Sequence, residues 1–157
     1  MNVVDASVAL DLLSPELDET APARILFREW AKRGTEAVAP GLMWLEVRNV
    51  LLTGIRRGRW SGADADAAAE FLRVLPVRRM DSDLDAERAF ELARRYDNWP
   101  VFDMLYVALA ERLGAEFYTS DERLSRRLAH LGWVREVGSE AELGEPGQEA
   151  PRGLAAA

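Results

Sequence analysis

Short apolar runs suited to strands alternate with longer stretches of helical periodicity along residues 1–137, and this alternation limits the fold more than any other feature. Asn2-Val3-Val4 reads as a buried strand, and a helix follows over about 7–13. Ala23, Leu26, Phe27 and Trp30 lie at helical spacing, which predicts a helix over 20–33 stopped by Gly34. A brief strand over 36–39 comes next, then Pro40 and Gly41 open a helix that runs to about Thr53. The arginine-rich stretch 54–62 reads as a turn, and Ser61 or Gly62 precedes a helix through Leu75. A strand over 76–80 and helices over 84–96 and 101–113 follow, then a strand over 116–119, a helix over 122–131 and a last strand over 133–137. The helix over 101–113 is apolar around nearly its whole circumference, so it is expected to be buried. Short strands separated by helices pair in parallel through right-handed crossovers. The expected fold class is therefore α/β, a three-layer α/β/α sandwich around a short-stranded parallel sheet. Ligands of such sheets gather at the carboxyl ends of the strands.

With 157 residues, 48% hydrophobic and 30% charged, the chain can bury one substantial core but not two. One globular unit is expected over 1–137. From Gly138 the chain turns to Gly, Glu, Pro and Ala without periodicity, which reads as a mobile tail over 138–157. Asp5 and Asp11 interrupt the only apolar segment near the N-terminus, and no window approaches 18 uninterrupted apolar residues. A soluble, cytoplasmic protein with no membrane partner is expected. The absence of cysteine excludes disulfides, thiolate metal sites and thiol nucleophiles. The lone histidine, His130, excludes a His-based metal triad within one chain and reads as structural. Carboxylates remain for chemistry, and such oxygen ligands favour hard cations, Mg²⁺ or Mn²⁺. The net charge of −7 opposes a whole-surface grip on nucleic acid. Yet the basic residues are almost all arginine, and they cluster, as at Arg56, Arg57 and Arg59 and at Arg126 and Arg127. Each cluster is either a solvated helix face with ion pairs or a local phosphate contact.

Four carboxylates stand in places that need explaining. Asp5 follows the first strand directly and precedes a helix, where it is either a cap or a ligand at a strand end. Asp121 repeats that strand-acid-helix arrangement, with the Thr119 hydroxyl beside it. Glu46 shares a helix face with Leu42, Asn49 and Val50, at the margin of the core or at a cleft, and Asn49 one turn on can donate to it. Asp103 is the only charge in VFDMLYVALA at 101–110, where it either profits from the helix dipole or needs a cation. Two acids lie at strand carboxyl ends and two on helices that can face the same edge. Converging carboxylates repel, and one or two divalent cations would hold them together and activate water for phosphoryl displacement.

VVDASVAL at 3–10, LEVRNVL at 45–51, VFDMLYVALAERLGA at 101–115 and YTSDERL at 118–124 resemble, in order and spacing, the four signature blocks of PIN domains. They are most similar to those of VapC toxins of type II toxin-antitoxin systems. The resemblance covers residues 1–137 and implies a parallel-sheet sandwich with Mg²⁺- or Mn²⁺-dependent endonucleolytic cleavage of RNA, such as transfer or ribosomal RNA. It also implies a homodimer and a cognate antitoxin protein. By this likeness Asp5, Glu46, Asp103 and Asp121 are the catalytic, metal-binding acids, and Ser7, Asn49 and Thr119 are supporting polar residues. No acid of the set is missing, whereas the residues after Val137 have no counterpart in the pattern. Arg56, Arg57, Arg59 and Arg126 are candidate RNA contacts, and Trp60 and Trp99 either pack inside or stack on unpaired bases. Three other readings compete. A nucleophilic aspartate at the first strand end is opposed by Ser7 and the scarcity of lysine. A housekeeping PIN-type nuclease differs in having no antitoxin, and an inactive interaction module is opposed by the complete set of acids.

Overall fold

A computed structural model describes residues 1–14 and 18–139 of the chain. The expected tail over 138–157 lies, beyond Ser139, outside the described residues. In chain order the elements are β1 (Asn2–Val4), α1 (Ala6–Leu13), α2 (Pro22–Arg33), β2 (Ala37–Ala39), α3 (Leu42–Arg56), α4 (Gly62–Arg73), β3 (Val77–Arg79), α5 (Asp83–Arg95), α6 (Val101–Leu113), β4 (Phe117–Thr119), α7 (Glu122–Leu128) and β5 (Val134–Glu136). A single 3₁₀ turn, Ala129–Leu131, separates α7 from β5. The strands form one parallel sheet in the order β3-β2-β1-β4-β5, with Val3 opposite Phe117 and Val38.

From β1 to β3 the chain steps in one direction across the sheet, and from β4 to β5 it steps in the other. Right-handed crossovers then place α1 to α4 on one face and α5 to α7 on the opposite face. Two neighbouring residues of β4 demonstrate both layers, because successive side chains of a strand point to opposite faces. Phe117 stacks on Tyr106 of α6 with ring centroids 6.2 Å apart, whereas Tyr118 meets Trp30 of α2 edge-on at 4.8 Å. The expected three-layer sandwich is therefore what the chain forms. Val3, Val4 and Val38 of the central strands are fully buried between the layers.

Most helix limits follow local chemistry. Gly34 and Gly114, at φ 67° and 59°, end α2 and α6 in the left-handed conformation that suits glycine. Ser61 and Asp64 close a capping box at the start of α4. The α5/α6 pair is tied by two bidentate clasps, Arg112 to the buried Asp85 at 2.6 and 2.8 Å, and Arg88 to Glu111 at 2.7 and 2.8 Å.

Two expectations need correction. Helix α3 continues to Arg56, so the turn expected over 54–62 is confined to the residues between Arg56 and Gly62. Gly54 stays helical because the Trp60 ring folds back over it, with Trp60 Nε1 donating to the Leu51 carbonyl at 2.9 Å. Helix α6 is buried at Met104 and from Tyr106 to Ala110, but Val101 and Phe102 in its first turn are exposed, as is Arg112 near its end. That turn stands at the strand carboxyl ends, since α6 runs back along the sheet to enter β4.

Candidate active site

Strands β1 and β4 are neighbours whose following helices, α1 and α7, leave to opposite faces, so a crevice opens at their carboxyl ends. Asp5 and Asp121, the residues that follow the two strand ends most closely among the acids, stand at that crevice. Asp5 is only 5% exposed. Its Oδ1 accepts the backbone N–H of Ser7 at 3.0 Å and of Val8 at 3.2 Å, capping α1, and also the Ser7 hydroxyl at 2.5 Å. Its Oδ2 accepts the hydroxyl of Thr119, fully buried in β4, at 2.5 Å. Thr119 Oγ1 in turn accepts the Asp121 N–H at 3.0 Å, and Ser7 Oγ accepts the Ser120 N–H at 2.8 Å. Two hydroxyls thus stitch the two strand ends together. Asp121 Oδ1 caps α7 through the Leu124 N–H at 3.1 Å. Burial nonetheless outweighs these donors and pushes the Asp5 carboxyl up to about 6.

Glu46 and Asp103 reach the crevice from α3 and α6, one in each helical layer. Both are half-buried, and each is steadied by an aromatic donor. The Tyr106 hydroxyl, 1% exposed on α6, donates to Glu46 Oε2, while its oxygen faces the backbone N–H of Ala6. Trp99 Nε1 donates to Asp103 Oδ2 at 2.7 Å. Asp97 and Asn98 hold positive φ of 56° and 59° in the turn that sets Trp99 at the start of α6, a conformation that short polar side chains tolerate. Desolvation raises both carboxyls above their ordinary range, and neighbouring charge adds to it: Asp103 raises Glu46, and Asp121 raises Asp103. Burial also raises the Tyr106 phenol, with Glu46 beside it. Like charges face one another across the crevice. Among the described residues, no three acidic, histidine or cysteine side chains stand close enough together in this conformation to hold a metal ion. The donor set itself, carboxylate oxygens coupled by mutual repulsion, is of the kind that suits a hard divalent cation.

The family model described as PIN domain matches residues 3–129. The chain belongs to the PIN domain family. It is similar to ribonuclease VapC3 of Mycobacterium tuberculosis, 38% identical over 124 residues, which cover 79% of this chain and 85% of that protein. It is also similar to ribonuclease VapC12 of the same organism, 32% identical over 130 residues, covering 83% and 94%.

The PIN fold brings Asp5, Ser7, Thr119 and Asp121 into one hydrogen-bonded group and sets Glu46 and Asp103 beside it through their electrostatic coupling. Asn49 is exposed on α3, and the donor to Glu46 is Tyr106. Arg56 and Arg57 are exposed at the end of α3, Arg56 lying 3.3 Å from Thr53 Oγ1, and Arg126 pairs with Glu122 one turn back. Arg59 lines, with Ser7 and Ser120, a cleft of about 370 Å³. Trp60 packs on Gly54 with the Arg59 guanidinium 4.8 Å from its ring centroid. Tyr106 and Arg123 escaped the sequence reading, and Trp99, expected to pack inside or stack on bases, is the donor to Asp103. Arg123 lies 4.8 Å from the Trp99 ring and lowers Asp103. Trp99 lies just before the N-cap Pro100 of α6, close enough to reach Asp103 in the first turn of the helix. His130 meets the Tyr96 hydroxyl at 2.9 Å, away from the acids. No helix among the described residues is long and apolar enough to cross a membrane.

Proposed function

We propose that this chain is an endoribonuclease that hydrolyses RNA phosphodiester bonds with Mg²⁺ or Mn²⁺, and that it is the toxin of a type II toxin-antitoxin pair. What supports this reading is that Asp5 and Asp121 follow the adjacent ends of β1 and β4, with Glu46 coupled to Asp103 and Asp103 to Asp121, in a PIN chain similar to two ribonucleases. Asp5, Glu46, Asp103 and Asp121 hold the cation. When bound there it neutralises developing phosphate charge and acidifies water. Ser7 and Thr119 fix the two oxygens of Asp5, Tyr106 fixes Glu46, and Trp99 fixes Asp103, which limits the rotation of three of the four carboxylates. Arg59 and Arg123 flank the acids and position the phosphate backbone, with Arg56, Arg57 and Arg126 further out. The nuclease unit spans 1–137 and works in the cytoplasm, where transfer and ribosomal RNA are the available structured substrates. A cognate antitoxin and a second copy of the chain cover the exposed apolar side chains, Leu45 and Leu52 of α3, Phe71 of α4, and Phe90 of α5.

The decisive experiment incubates the metal-free chain with a pool of total RNA, with and without Mg²⁺, and maps the ends produced. Cleavage is expected only with the cation, and Asp103→Asn is expected to lower it at least about a hundredfold. Equal cleavage by Asp103→Asn would overturn the assignment of the site. Cleavage by neither chain would favour an interaction module.

A further inference from the structure

Tyr106 follows Asp103 by three residues on α6, so the two project from one face of that helix. Its ring belongs to the core on the α6 side of the sheet, stacked on Phe117 of β4 with the planes 11° apart. Its hydroxyl ends in the opposite layer, beside the first residue of α1 and beside Glu46 of α3. A phenol carries one O–H and two lone pairs. The Ala6 N–H, one of the first amides of α1 and so without a partner inside its own helix, donates to the phenol oxygen. The phenol proton goes to Glu46 Oε2. At 1% exposure the residue has little water to turn to in place of these partners. The other acids are engaged in a comparable way: both Asp5 oxygens accept hydroxyls, Asp103 Oδ2 accepts the Trp99 indole N–H, and Asp121 Oδ1 accepts the Leu124 N–H.

We propose that Tyr106 is a positioning residue that holds Glu46 to a single free oxygen at the crevice and thereby favours a small octahedral cation over Ca²⁺. This rests on the metal-dependent ribonuclease reading above and deepens it by assigning the choice of ion to a residue. Ca²⁺ gathers more oxygens than Mg²⁺ and commonly grips a carboxylate by both, whereas Mg²⁺ demands a compact octahedron and keeps several waters. A carboxylate free to rotate can serve either ion. One whose Oε2 is pinned to a buried phenol serves Mg²⁺ better, because chelation through both oxygens would bend or break a hydrogen bond in a place closed to water. Since Tyr106 and Asp103 share α6, the same bond also sets how Glu46 stands to Asp103, the carboxylate that repels it. A phenol that merely tied α1 and α3 to α6 would leave the choice of ion untouched.

The test uses the full chain without RNA and titrates Mn²⁺, as a substitute for Mg²⁺, by electron paramagnetic resonance, with Ca²⁺ read by its displacement of Mn²⁺. Tyr106→Phe keeps the ring on Phe117 and removes only the hydroxyl, and near-ultraviolet circular dichroism verifies its fold. It is expected to bind Mn²⁺ about tenfold more weakly, the usual cost of losing a group that orients a ligand. Its Ca²⁺ affinity is expected to stay level or rise, so the preference for Mn²⁺ falls by at least the same factor. Glu46→Asp, one methylene too short to reach the phenol and harmless to the core, is expected to lower that preference in the same direction. In a Glu46→Ala background the phenol has no carboxylate to orient, and adding Tyr106→Phe is expected to change neither affinity. Unchanged Mn²⁺ binding in Tyr106→Phe, equal losses for both ions, or the same loss in the Glu46→Ala background would overturn the proposal, as would a parent that binds no Mn²⁺. A parent that binds Mn²⁺ with the expected preference yet cuts no RNA removes the nuclease and leaves the role of Tyr106.

Discussion

Asp5 serves as a helix cap and as a nearly buried charge, and the two roles pull its stability in opposite directions. Four donors hold it, yet desolvation still moves its carboxyl from 3.8 to about 6. The folded state therefore favours the protonated acid. Its stabilising contribution is complete below about pH 4 and is lost as pH rises through 6, at a cost of about 3 kcal/mol at pH 8. Asp5→Asn keeps an oxygen to cap α1 and removes the charge. The variant is expected to melt several degrees above the parent at pH 8, to lose that advantage by pH 4, and to cut no RNA. Melts across that pH range check it, and a variant that melts below the parent at every pH would show that hydrogen bonds outweigh desolvation. Such a conflict between stability and function is what the proposed role of Asp5 would entail. Glu46 and Asp103 were legible in the sequence because a carboxylate on an apolar helix has no ordinary explanation. Tyr106 was not, since an aromatic residue at such a position reads as core, and Trp99 was noticed without its bond to Asp103. Only folding reveals that the Tyr106 hydroxyl meets an acid 60 residues away.

Among the elements, α3 and the turn after it show where local signals mislead. Gly54 next to an arginine cluster has the composition of a turn, but the helix continues because the bare Gly54 backbone gives Trp60 a place to pack. A Cβ built on Gly54 would lie 2.0 Å from Trp60 Cε2. Alanine is the better helix former by about 1 kcal/mol, so propensity and packing predict opposite signs for Gly54→Ala. The clash is between a rigid ring and backbone-anchored carbon, and overpacking of this kind typically costs about 1–3 kcal/mol. Urea unfolding is expected to show a less stable variant, with altered tryptophan emission as the ring is displaced. A more stable variant would mean that the ring yields without loss. Elsewhere the element order was readable, because each strand is a short apolar run and each helix repeats its apolar residues at helical spacing. The ends were less so: the segment after Leu128 tightens into a 3₁₀ turn that periodicity does not distinguish from the α-helix before it.

At the scale of the whole molecule, the order β3-β2-β1-β4-β5 explains why acids so far apart in sequence stand around one crevice. Reversal of the winding direction between β1 and β4 opens the crevice, and the two helical layers each lower one further carboxylate into it. Asp103 repels both Glu46 and Asp121, and a divalent cation held there, as proposed, would relieve that repulsion. Because Glu46 belongs to one layer and Asp103 to the other, a cation held by both must be released before the sandwich can open. Binding to the folded state alone stabilises by mass action, by about 2.7 kcal/mol when the ion stands at a hundred times its dissociation constant. For a domain of this size that is a rise in melting temperature of roughly 5–10 °C. Saturating Mn²⁺ is therefore expected to raise the melting temperature of the metal-free chain, chelator to reverse it, and Asp103→Asn to remove most of the response. Calorimetric scans of both chains, with and without the ion, decide the matter. An equal rise in the two would place the bound ion elsewhere on the acidic surface, and no rise in the parent would mean that the four carboxylates bear their repulsion without a cation.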